Sequence, residues 1–509
     1  TASFPIVSVN VVWFKRDLRL NDNAAISDAI NRNLPIICLF NLDSQRIARS
    51  DVSAIHIEWE LDCLRSLSKD IHQLGGVIKF NYGNIFEALE TLNLEYEIDS
   101  IIANEETGLK WSWDRDKKVA EWCDFNRVKF VEHPSNGVVR KLKNRDNWKK
   151  YRDKRVSAEL FPKPSSMPSP SGSHSDEIPT MKELRLDSRS LEYRPIPGEE
   201  AALSTLNSFL NGRGRGYRKG MSSPITGEVM CSRISPYLSA GCLSIKQVFH
   251  HTLARQRQVK VDPRSTENIG FTSSLTSFQS RIAWHCHFMQ RLEAEATMDE
   301  IAINPELDEL LNRKLDQRKF IAWRDGKTGW PFFDACMRYL TATGWINFRM
   351  RAMLQSVASY TLWLPWQATG LHLANLFMDY EPGIHWSQVQ MQSGVTGINS
   401  VRAYSIGKQS VDHDFNGDFI RRWVPELAKV PTEHIHQPWM MSESEQEQYN
   451  CQIDLDYPAP IVDEKAARKT GISMSYKAKG DIGVRRRAKI VFDLHGSRSR
   501  NRHSSRSRK

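Results

Sequence analysis

Strand-like and helix-like segments alternate through the first 131 residues, and this alternation is the strongest constraint on the fold. The strand-like segments are short and rich in β-branched and aromatic residues, and they read VSVNVVWF, LPIICLFNL, GVIKFNYG, DSIIANE and RVKFVEH. Runs that are apolar on both faces are typical of a parallel sheet covered by helices on both sides. We therefore predict a Rossmann-like α/β domain over residues 1–135. Such sheets bind ligands beyond the carboxyl ends of their strands. Those ends are predicted at Phe14, Phe40, Phe80 and Ala103.

A segment rich in proline and serine interrupts the pattern between Phe161 and Thr180. It reads FPKPSSMPSPSGSHSDEIPT, a composition typical of a linker. We assign residues 136–197 to an interdomain linker and residues 198–450 to a second, largely α-helical domain. Apolar residues at helical spacing predict these helices: Glu199 to Leu210, Ser232 to Arg255, Phe271 to Glu293, Asp334 to Thr341, Ile346 to Leu362 and Gly370 to Met378.

The net charge of +10 is concentrated at one end of the chain. From Asp481 to Lys509 there are ten Lys or Arg residues and two acidic residues, which leaves 60 basic and 58 acidic residues in the rest of the chain. We assign residues 451–509 to a C-terminal extension, and we predict that its basic end, from His495 onward, is disordered because it has no apolar periodicity. This end is either a solubilising segment or an arm that binds phosphates.

Several classes of protein are disfavoured by the sequence. The apolar stretches are much shorter than the roughly 18 residues that a membrane-spanning helix requires, and no secretory signal opens the sequence. The eight cysteines include no C-x-x-C pair, which argues against a zinc ribbon or a dense disulfide framework. We expect a cytoplasmic protein without a metal centre. His285, Cys286 and His287 are consecutive, so on a helix their side chains would diverge rather than converge on one ion.

Charged residues in apolar surroundings indicate a buried site in the helical domain. The segment from Cys231 to Ser235 precedes a predicted helix, so its hydroxyl and amide groups are suited to a pyrophosphate. Arg349 and Arg351 lie in a mostly apolar helix and need acidic partners, for which Asp379 and Glu381 are the candidates. The residues alone are equally consistent with a cofactor pocket and with a structural ion pair. The glycine-rich run from residue 212 to residue 216 is interpreted as a flexible basic loop.

Long motifs in a fixed order carry a resemblance to a known family. They read VVWFKRDLRLNDN, EETGLKWSWDRD, CSRISPYLSAGCLS, AWRDGKTGWPFFDACMRYLTATGWINFRMR, FIRRWVPEL and HIHQPW. From Val11 to about Pro438, the chain resembles the cryptochrome/photolyase family, as an atypical branch with bacterial-type photolyase features. The resemblance implies an α/β antenna domain, a helical domain that binds FAD, and an antenna chromophore of folate or deazaflavin type. It also implies UV-damaged DNA as the partner of a monomeric protein.

The resemblance assigns roles to individual residues. Those expected to contact FAD are Tyr217, Cys231, Ser232, Arg233, Ile234, Ser235, Phe278, His285, Phe348, Arg351, Asp379, Glu381 and His385. Those expected to act on the lesion or beside the flavin ring are Arg281, Trp284, Arg349 and His385. Trp366 aligns with the middle tryptophan of the family's electron-transfer triad, and either Trp386 or Trp345 is the candidate for a substitute inner donor. The imidazole of His385 is expected near flavin N5, where it either alters the protonation of the flavin, since imidazole titrates near neutral pH, or is held by a hydrogen bond to the backbone.

Three residues depart from the pattern of the photolyases that repair cyclobutane pyrimidine dimers. Arg281 stands where those enzymes carry a glutamate, Phe348 where an asparagine faces the flavin, and Val389 where the innermost tryptophan of an electron-transfer triad belongs. The leading prediction is a light-driven photolyase that repairs pyrimidine dimers, cyclobutane dimers foremost. The alternative is a cryptochrome photoreceptor with little or no repair activity, which the rearranged residues around the flavin favour.

Overall fold

The first part of the chain forms a five-stranded, fully parallel sheet. In the computed structural model, which describes residues 5–498, the strands are in the order β3-β2-β1-β4-β5. The strands are β1 Ser8–Phe14, β2 Ile36–Asp43, β3 Ile78–Gly83, β4 Glu97–Asn104 and β5 Lys129–His133. Alternate residues of β1 face opposite helical layers, with Val12 packing towards one layer and Val11 towards the other. The prediction of a Rossmann-like parallel sheet is therefore confirmed.

Helices make up most of the remaining structure. In chain order they are α1 Ala24–Asn31, α2 Ser44–Ile47, α3 Ala54–Gln73, α4 Ile85–Glu95, α5 Lys110–Phe125, α6 Trp148–Ser157, α7 Glu199–Asn211, α8 Tyr217–Gly220, α9 Pro224–Met230, α10 Ser235–Ala240, α11 Ile245–Val261, α12 Phe271–Ala294, α13 Pro305–Leu311, α14 Gln317–Asp325, α15 Pro331–Thr343, α16 Phe348–Ser356, α17 Trp366–Leu376, α18 Pro382–Ser393, α19 Ile406–His413, α20 Asp418–Trp423, α21 Thr432–Ile435, α22 Glu443–Gln448, α23 Glu464–Lys479 and α24 Ile482–His495. No helix within residues 5–498 combines the length and apolar character needed to cross a membrane.

The predicted helix from Ser232 to Arg255 is divided into α10 and α11. Gly241 ends α10 in the left-handed conformation, with φ of 80°, which glycine adopts without steric cost. Ser244 then begins α11 with a capping box, in which its hydroxyl accepts from Gln247 N and its backbone N–H donates to the Gln247 side chain. The predicted helix from Ile346 to Leu362 starts at Phe348 and finishes as a π-helical stretch, Val357–Thr361.

The glycine-rich run predicted to be a flexible loop is ordered instead. It forms a 3₁₀ helix, Arg213–Gly216, that leads directly into α8. The guanidinium of Arg213 donates to the backbone carbonyls of Thr205, Cys231 and Ser232. Hydrogen bonds from one guanidinium to these three carbonyls leave the run little freedom, so Arg213 joins α7 to the segment after α9.

The proline-rich segment lies along the sheet. Asp176 N–H donates to the Ile78 carbonyl, and the Asp176 carboxylate accepts from Phe80 N at 2.9 Å. Met167 is buried in the core beneath α3. Backbone groups of the edge strand β3 are thereby satisfied by the segment itself, which protects an edge that is otherwise open to pairing.

The basic C-terminal region is more ordered than the sequence predicted. Its basic residues at positions 485–489 belong to α24, which Asp481 caps by accepting from Val484 N. Val484 and Val491, two turns apart, bury the apolar face of that helix. His495, where the disordered end was predicted to begin, is fully buried. The rest of that predicted disordered end, residues 499–509, lies outside the described residues.

The segment after β1 docks the α/β domain on the helical part. Leu18 N donates to the Ala240 carbonyl at 3.2 Å, and Arg16 Nε donates to the Ser239 carbonyl at 3.3 Å. The Glu199 carboxylate, at the start of α7, accepts from the backbone N–H groups of Leu20 and Asn21. The loop after the first strand is thus fixed by backbone hydrogen bonds at the side of the helical cavity described next.

Candidate functional site

A cavity of about 260 Å³ lies between α10, α16, α17 and α18. Its walls include apolar side chains, among them Leu373, Phe377 and Val389, together with a few charged groups. The predicted site residues that line it are Cys231, Ser232, Arg233, Ser235, His285, Trp345, Phe348, Arg351, Asp379, Glu381 and His385. An apolar cavity with a small number of fixed polar groups is the usual form of a cofactor site.

A buried ion pair fixes the charge at one wall of this cavity. Arg351 donates from Nη1 and Nη2 to the two carboxylate oxygens of Asp379, each at 2.8 Å, and the Ser235 hydroxyl donates to the same carboxylate at 2.6 Å. Burial alone would raise the pKa of Asp379, but the charge and hydrogen bonds of Arg351, with the bond from Ser235, hold it below its usual value. The sequence-based expectation that Arg351 pairs with Asp379 is confirmed.

Glu381, the other acidic candidate, has a partner in the α/β domain. Its Oε2 accepts from Arg16 Nη2, while its Oε1 is buried without a partner in the described structure. Burial raises the pKa of this carboxyl even though Arg16 opposes the shift. The fixed charges of the cavity therefore come from both domains. Arg349, the other arginine of the apolar motif, is exposed at the start of α16 rather than paired with an acid.

His385 is held neutral, contrary to the expectation of a group that titrates near neutral pH. Its Nε2 lies 2.8 Å from the Gly370 carbonyl, and burial lowers its pKa to about 4. Because the carbonyl can only accept, Nε2 carries the hydrogen and Nδ1 is an acceptor. His285, half-buried on α12, is likewise neutral because desolvation of its imidazole lowers its pKa to about 4. Neither imidazole changes charge between pH 6 and 8.

Buried polar atoms without partners indicate that the cavity is built to hold a ligand. Within the described part of the chain these include His285 Nδ1, Asn347 Oδ1 and Glu381 Oε1, all on residues of the cavity wall. A buried polar atom that lacks a hydrogen bond costs about 1–3 kcal/mol, so several in one cavity favour a ligand that satisfies them. Burial raises the pKa of the Cys231 thiol to about 11 despite nearby arginines. This side chain is therefore a neutral, weak hydrogen-bond donor at physiological pH.

Several of the predicted site residues lie elsewhere. Phe278 and Tyr217 pack with Phe209 in a buried aromatic cluster, with ring centroids 4.7–5.9 Å apart, and do not line the cavity. Ile234 is also buried in the core. Phe278 and Ile234 do not line the cavity, because their apolar groups complete the packing behind it, and their predicted contact with FAD stays a prediction.

The residues predicted to meet the lesion gather at the cavity mouth and beyond it. The Arg281 guanidinium lies 5.4 Å from the ring centroid of Phe348, which is 45% exposed. Trp284, one turn further along α12, is 38% exposed and lines a neighbouring cavity. The mouth is therefore basic and aromatic, and Arg281 forms no ion pair there with a carboxylate of residues 5–498.

Two of the three candidate tryptophans form a pair. The ring centroids of Trp366 and Trp386 are 6.1 Å apart, and Trp386 is 4.9 Å from His385 on the cavity wall. Trp345 lies on another wall, where the Arg233 guanidinium covers its ring at 3.9 Å. Trp386 and Trp366 thus form a pair of rings that reaches the cavity wall at His385, whereas Trp345 lies apart from this pair.

Sequence reasoning missed several wall residues. Gln355, Gln388 and Gln392 line the cavity, and Gln388 and Gln392 are one turn apart on α18. Tyr380 also lines it, with its hydroxyl donating to Asp51 at 2.7 Å and accepting from Trp386 Nε1 at 2.8 Å. Two glutamines at i, i+4 in a mostly apolar helix were a sequence signal that could have predicted polar wall residues. The contact between Tyr380 and Asp51 joins residues 329 positions apart, so no local pattern in the sequence predicts it.

A second, larger cavity of about 600 Å³ opens at the carboxyl ends of β1, β4 and β5. It is lined by residues of the α/β domain, including Lys15, Asn104 and His133, and it shares His285 and Glu381 with the first cavity. A cavity thus follows the strand ends at Phe14 and Ala103, as predicted for a sheet of this type. Among residues 5–498, no cluster of three or more His, Cys, Asp or Glu side chains could hold a metal ion.

Comparisons with known proteins match both halves of this architecture. Residues 10–153 match the family model described as DNA photolyase, and residues 278–477 match the FAD binding domain of DNA photolyase. The chain is 28% identical over 497 residues to a deoxyribodipyrimidine photo-lyase of Alkalihalophilus pseudofirmus, covering 93% of this chain and 98% of that protein. It is 26% identical to a cryptochrome DASH of Natronomonas pharaonis, covering 89% and 98%.

Solved structures share the fold. A bacterial class III photolyase from Agrobacterium tumefaciens superposes with a TM-score of 0.79 at 22% identity, over 94% of this chain and 99% of that one. An archaeal photolyase from Sulfolobus tokodaii, solved with two FAD molecules, superposes with a TM-score of 0.72 at 21% identity, over 92% and 99%. An α/β domain docked on a helical FAD-binding domain is the architecture that fold and cavity define. The chain belongs to the cryptochrome/photolyase family.

Proposed function

We propose that this protein is an FAD-dependent photolyase that uses blue light to repair UV-induced pyrimidine dimers, cyclobutane dimers in particular. The observation that carries the proposal is the Arg351–Asp379 pair, a fixed cation in an apolar cavity whose mouth is basic and aromatic. Reduced FAD, when bound, supplies the electron that splits the dimer. Arg351 and Arg233 place positive charge beside the cofactor space, which stabilises a negatively charged ligand there without reorganisation.

The residues at the mouth suit a flipped base in damaged DNA. A damaged base that leaves the duplex needs an aromatic surface on which to stack and cations that hold the distorted backbone. The partly exposed ring of Trp284 and the exposed side chains of Arg281 and Arg349 provide these groups. The neutral imidazole of His385 presents an acceptor at Nδ1, which orients a hydrogen-bond donor on the ligand without supplying a proton.

A photoreceptor of the cryptochrome type is the second candidate. The observation that favours it lies next to Trp284, where Phe492, Gly496 and Ser497 of the C-terminal segment wall the neighbouring cavity. Arg281 also approaches the exposed ring of Phe348 at the mouth, so a cation occupies the position from which a carboxylate would reach a dimer. Both features suit a protein in which the mouth of the cavity contacts the C-terminal segment of the same chain rather than DNA.

A repair assay separates these two functions. The substrate is an oligonucleotide with one defined cyclobutane thymine dimer, and the flavin of the full-chain protein is reduced chemically under anaerobic conditions. Chemical reduction removes any dependence on the Trp386–Trp366 pair. We expect intact thymines to appear under blue light and not in the dark. If illumination of the reduced protein restores no thymine, dimer repair is rejected and the photoreceptor function is favoured.

Replacing Arg281 with glutamine tests the DNA contact. Because each lysine or arginine that contacts a phosphate contributes about one unit to the dependence of log affinity on log salt concentration, we expect the variant to bind damaged oligonucleotide about tenfold more weakly in low salt, with a smaller salt slope. Arg318→Gln is the control, because this exposed arginine of α14 lines none of the cavities described here. Equal salt slopes for both variants and the parent would contradict a role for Arg281 at the DNA.

The 600 Å³ cavity is the proposed site of an antenna chromophore of folate or deazaflavin type. Its volume is in the range of small-molecule sites, about 300–1,000 Å³, and its mixed lining of Lys15, Asn104 and His133 offers donors to a polar conjugated ring. The shared wall at His285 and Glu381 would place such a chromophore beside the flavin cavity. Purified protein that releases no second chromophore on denaturation, even after incubation with each class, would contradict this assignment.

A further inference from the structure

Two arginines are buried together outside the flavin cavity. Arg291, on α12, and Arg145, before α6, are each 2% exposed. They enclose His287, with Arg145 Nη1 3.1 Å from its Nδ1 and Arg291 Nη2 3.4 Å from its Nε2. A neutral imidazole accepts at only one of its nitrogens, and burial together with both arginines lowers the pKa of His287 far below its usual value. At most one of these two contacts is therefore a hydrogen bond.

The two arginines differ in how far their donors are satisfied. Arg145 uses all three nitrogens, since Nε donates to the Leu494 carbonyl at 3.1 Å and Nη2 to the His287 carbonyl at 3.0 Å. Arg291 donates from Nη2 to the His495 carbonyl at 3.3 Å, while its Nε and Nη1 are buried with no partner in the described structure. The burial of Arg145 is thus explained by its hydrogen bonds to the C-terminal end of α24. The burial of Arg291 is only partly explained, because two of its three nitrogens have no partner in the described structure.

No carboxylate of residues 5–498 neutralises Arg291. Among residues 5–498, no acidic side chain lies within ion-pair distance of it, and the nearby Glu295 approaches His495 instead, at 3.6 Å. The stretches outside the described part, residues 1–4 and 499–509, contain no Asp or Glu. Burial lowers the pKa of Arg291 to about 10, and burial with the like charges of Arg291 and Arg498 lowers that of Arg145 to about 9. Buried cations in proteins are normally paired.

Arg291 forms part of the wall of a cavity of about 270 Å³. The other walls are the ring of Trp284, the loop with Asn399 and Ser400, and the C-terminal residues Gly496 and Ser497. Trp284 is stacked on Phe288 with centroids 5.6 Å apart, so its ring is fixed. This cavity therefore combines a buried, unneutralised guanidinium, hydroxyl and amide groups, and a rigid aromatic surface.

We propose that this cavity binds a phosphate oxyanion, with Arg291 as its principal ligand. A phosphate supplies both the negative charge and the acceptor oxygens that Nε and Nη1 lack, and charge-assisted hydrogen bonds of this kind are the strong ones. The phosphate belongs either to a free mononucleotide, whose base would face Trp284, or to the backbone of a nucleic acid. The site is distinct from the flavin cavity, with which it shares Gln392, and it does not depend on repair activity.

Thermal unfolding of the full-chain flavoprotein, in buffer free of phosphate and sulfate, tests the proposal. The ligands are inorganic phosphate, thymidine 5′-monophosphate, thymidine and an undamaged oligothymidylate. A ligand that binds only the folded state raises the unfolding midpoint with concentration. We expect phosphate and the monophosphate to raise it and thymidine to leave it unchanged. A response to oligothymidylate alone would assign the site to a nucleic-acid backbone. The absence of a response to every phosphate-bearing ligand would overturn the proposal.

Two substitutions distinguish a ligand site from a structural one. Arg291→Met removes a buried, unneutralised charge at similar volume, so we expect it to unfold at the same or a higher midpoint without ligand and to bind phosphate at least about tenfold more weakly. Arg145→Met is the matched control, because each nitrogen of Arg145 already has a partner; we expect a lower midpoint with the phosphate response retained. A phosphate response that survives Arg291→Met unchanged would overturn the assignment. Arg402→Gln, on the exposed rim of the cavity, is expected to weaken binding by a smaller factor with no change in midpoint.

Discussion

Replacing Gly241 with alanine is expected to destabilise the folded protein by about 3 kcal/mol or more. A Cβ at this position would lie 2.1 Å from the Arg16 carbonyl oxygen and 2.4 Å from Asp17 Cα, both backbone atoms, and the residue has a φ of 80°. The left-handed conformation costs a residue with a Cβ about 1 kcal/mol, and overpacking against a backbone that cannot rotate away adds about 1–3 kcal/mol. The α/β domain and α10 would have to separate.

The chain provides a matched control for this substitution. Gly407, in the first turn of α19, is exposed, and a Cβ there would meet nothing within 4 Å. Gly407→Ala should therefore leave stability unchanged or increase it by up to about 1 kcal/mol, since alanine reduces the conformational freedom of the unfolded chain. Chemical denaturation of the two variants measures both effects. Similar free energies of unfolding for Gly241→Ala and the parent would show that the contact with Arg16 and Asp17 is looser than described.

Replacing Arg351 with methionine is expected to destabilise the protein by about 3 kcal/mol and to release bound FAD. The substitution leaves the buried Asp379 carboxylate without its cation, and breaking a buried pair from one side typically costs about 3–5 kcal/mol. The double variant Arg351→Met/Asp379→Leu removes both charges and should regain most of the stability. It should not regain FAD, because the fixed cation beside the cofactor space is still missing. Flavin absorbance after gel filtration and urea unfolding give the two readouts.

The pH dependence of stability should change sign in the single variant. In the parent, the pKa of Asp379 is held below its usual value in the folded state, so the pair contributes stability above pH ~4 that is lost as the pH falls. Without Arg351, burial dominates and the folded-state pKa rises above the unfolded value. Stability is then greatest at acidic pH and is lost as the pH rises through the new pKa. A parent and variant that differ by the same free energy at pH 5 and pH 7 would contradict this account.

Local signals in the sequence were sufficient for the sheet and for much of the helical part. The short apolar runs predicted all five strands, and the three central strands β1, β2 and β4 are buried on both faces by helices. The division between α10 and α11 was missed although both signals were present, a glycine at 241 and a serine and glutamine three residues apart at 244 and 247. In α24, the basic residues obscured the apolar pair Val484 and Val491 that buries the helix.

The residues of the candidate site show the same difference between contacts that local sequence signals predict and contacts that they do not. Asp379 was one of two acidic residues predicted as partners of Arg349 and Arg351, because a charged residue in an apolar helix needs a partner. The partner of Glu381 was not predicted, since Arg16 is 365 positions away and belongs to the other domain. The aromatic cluster of Phe209, Tyr217 and Phe278 packs behind the cavity, so Phe278, which is expected to contact FAD, does not line it. The sequence indicates which charged groups need an ion-pair partner, but the fold determines which distant residue lies close enough to be that partner.

The contact between Arg16 and Glu381 limits how this protein can be divided or recombined. The cation that accompanies a cavity carboxylate is supplied by the loop after the first strand, whose backbone is also fixed to Ser239 and Ala240. A helical half expressed alone would lack that counterion, and a chimaera with a foreign α/β half would need an arginine at the same point of its first loop. The cofactor site therefore requires both domains from the same protein, even though a long proline-rich segment joins them.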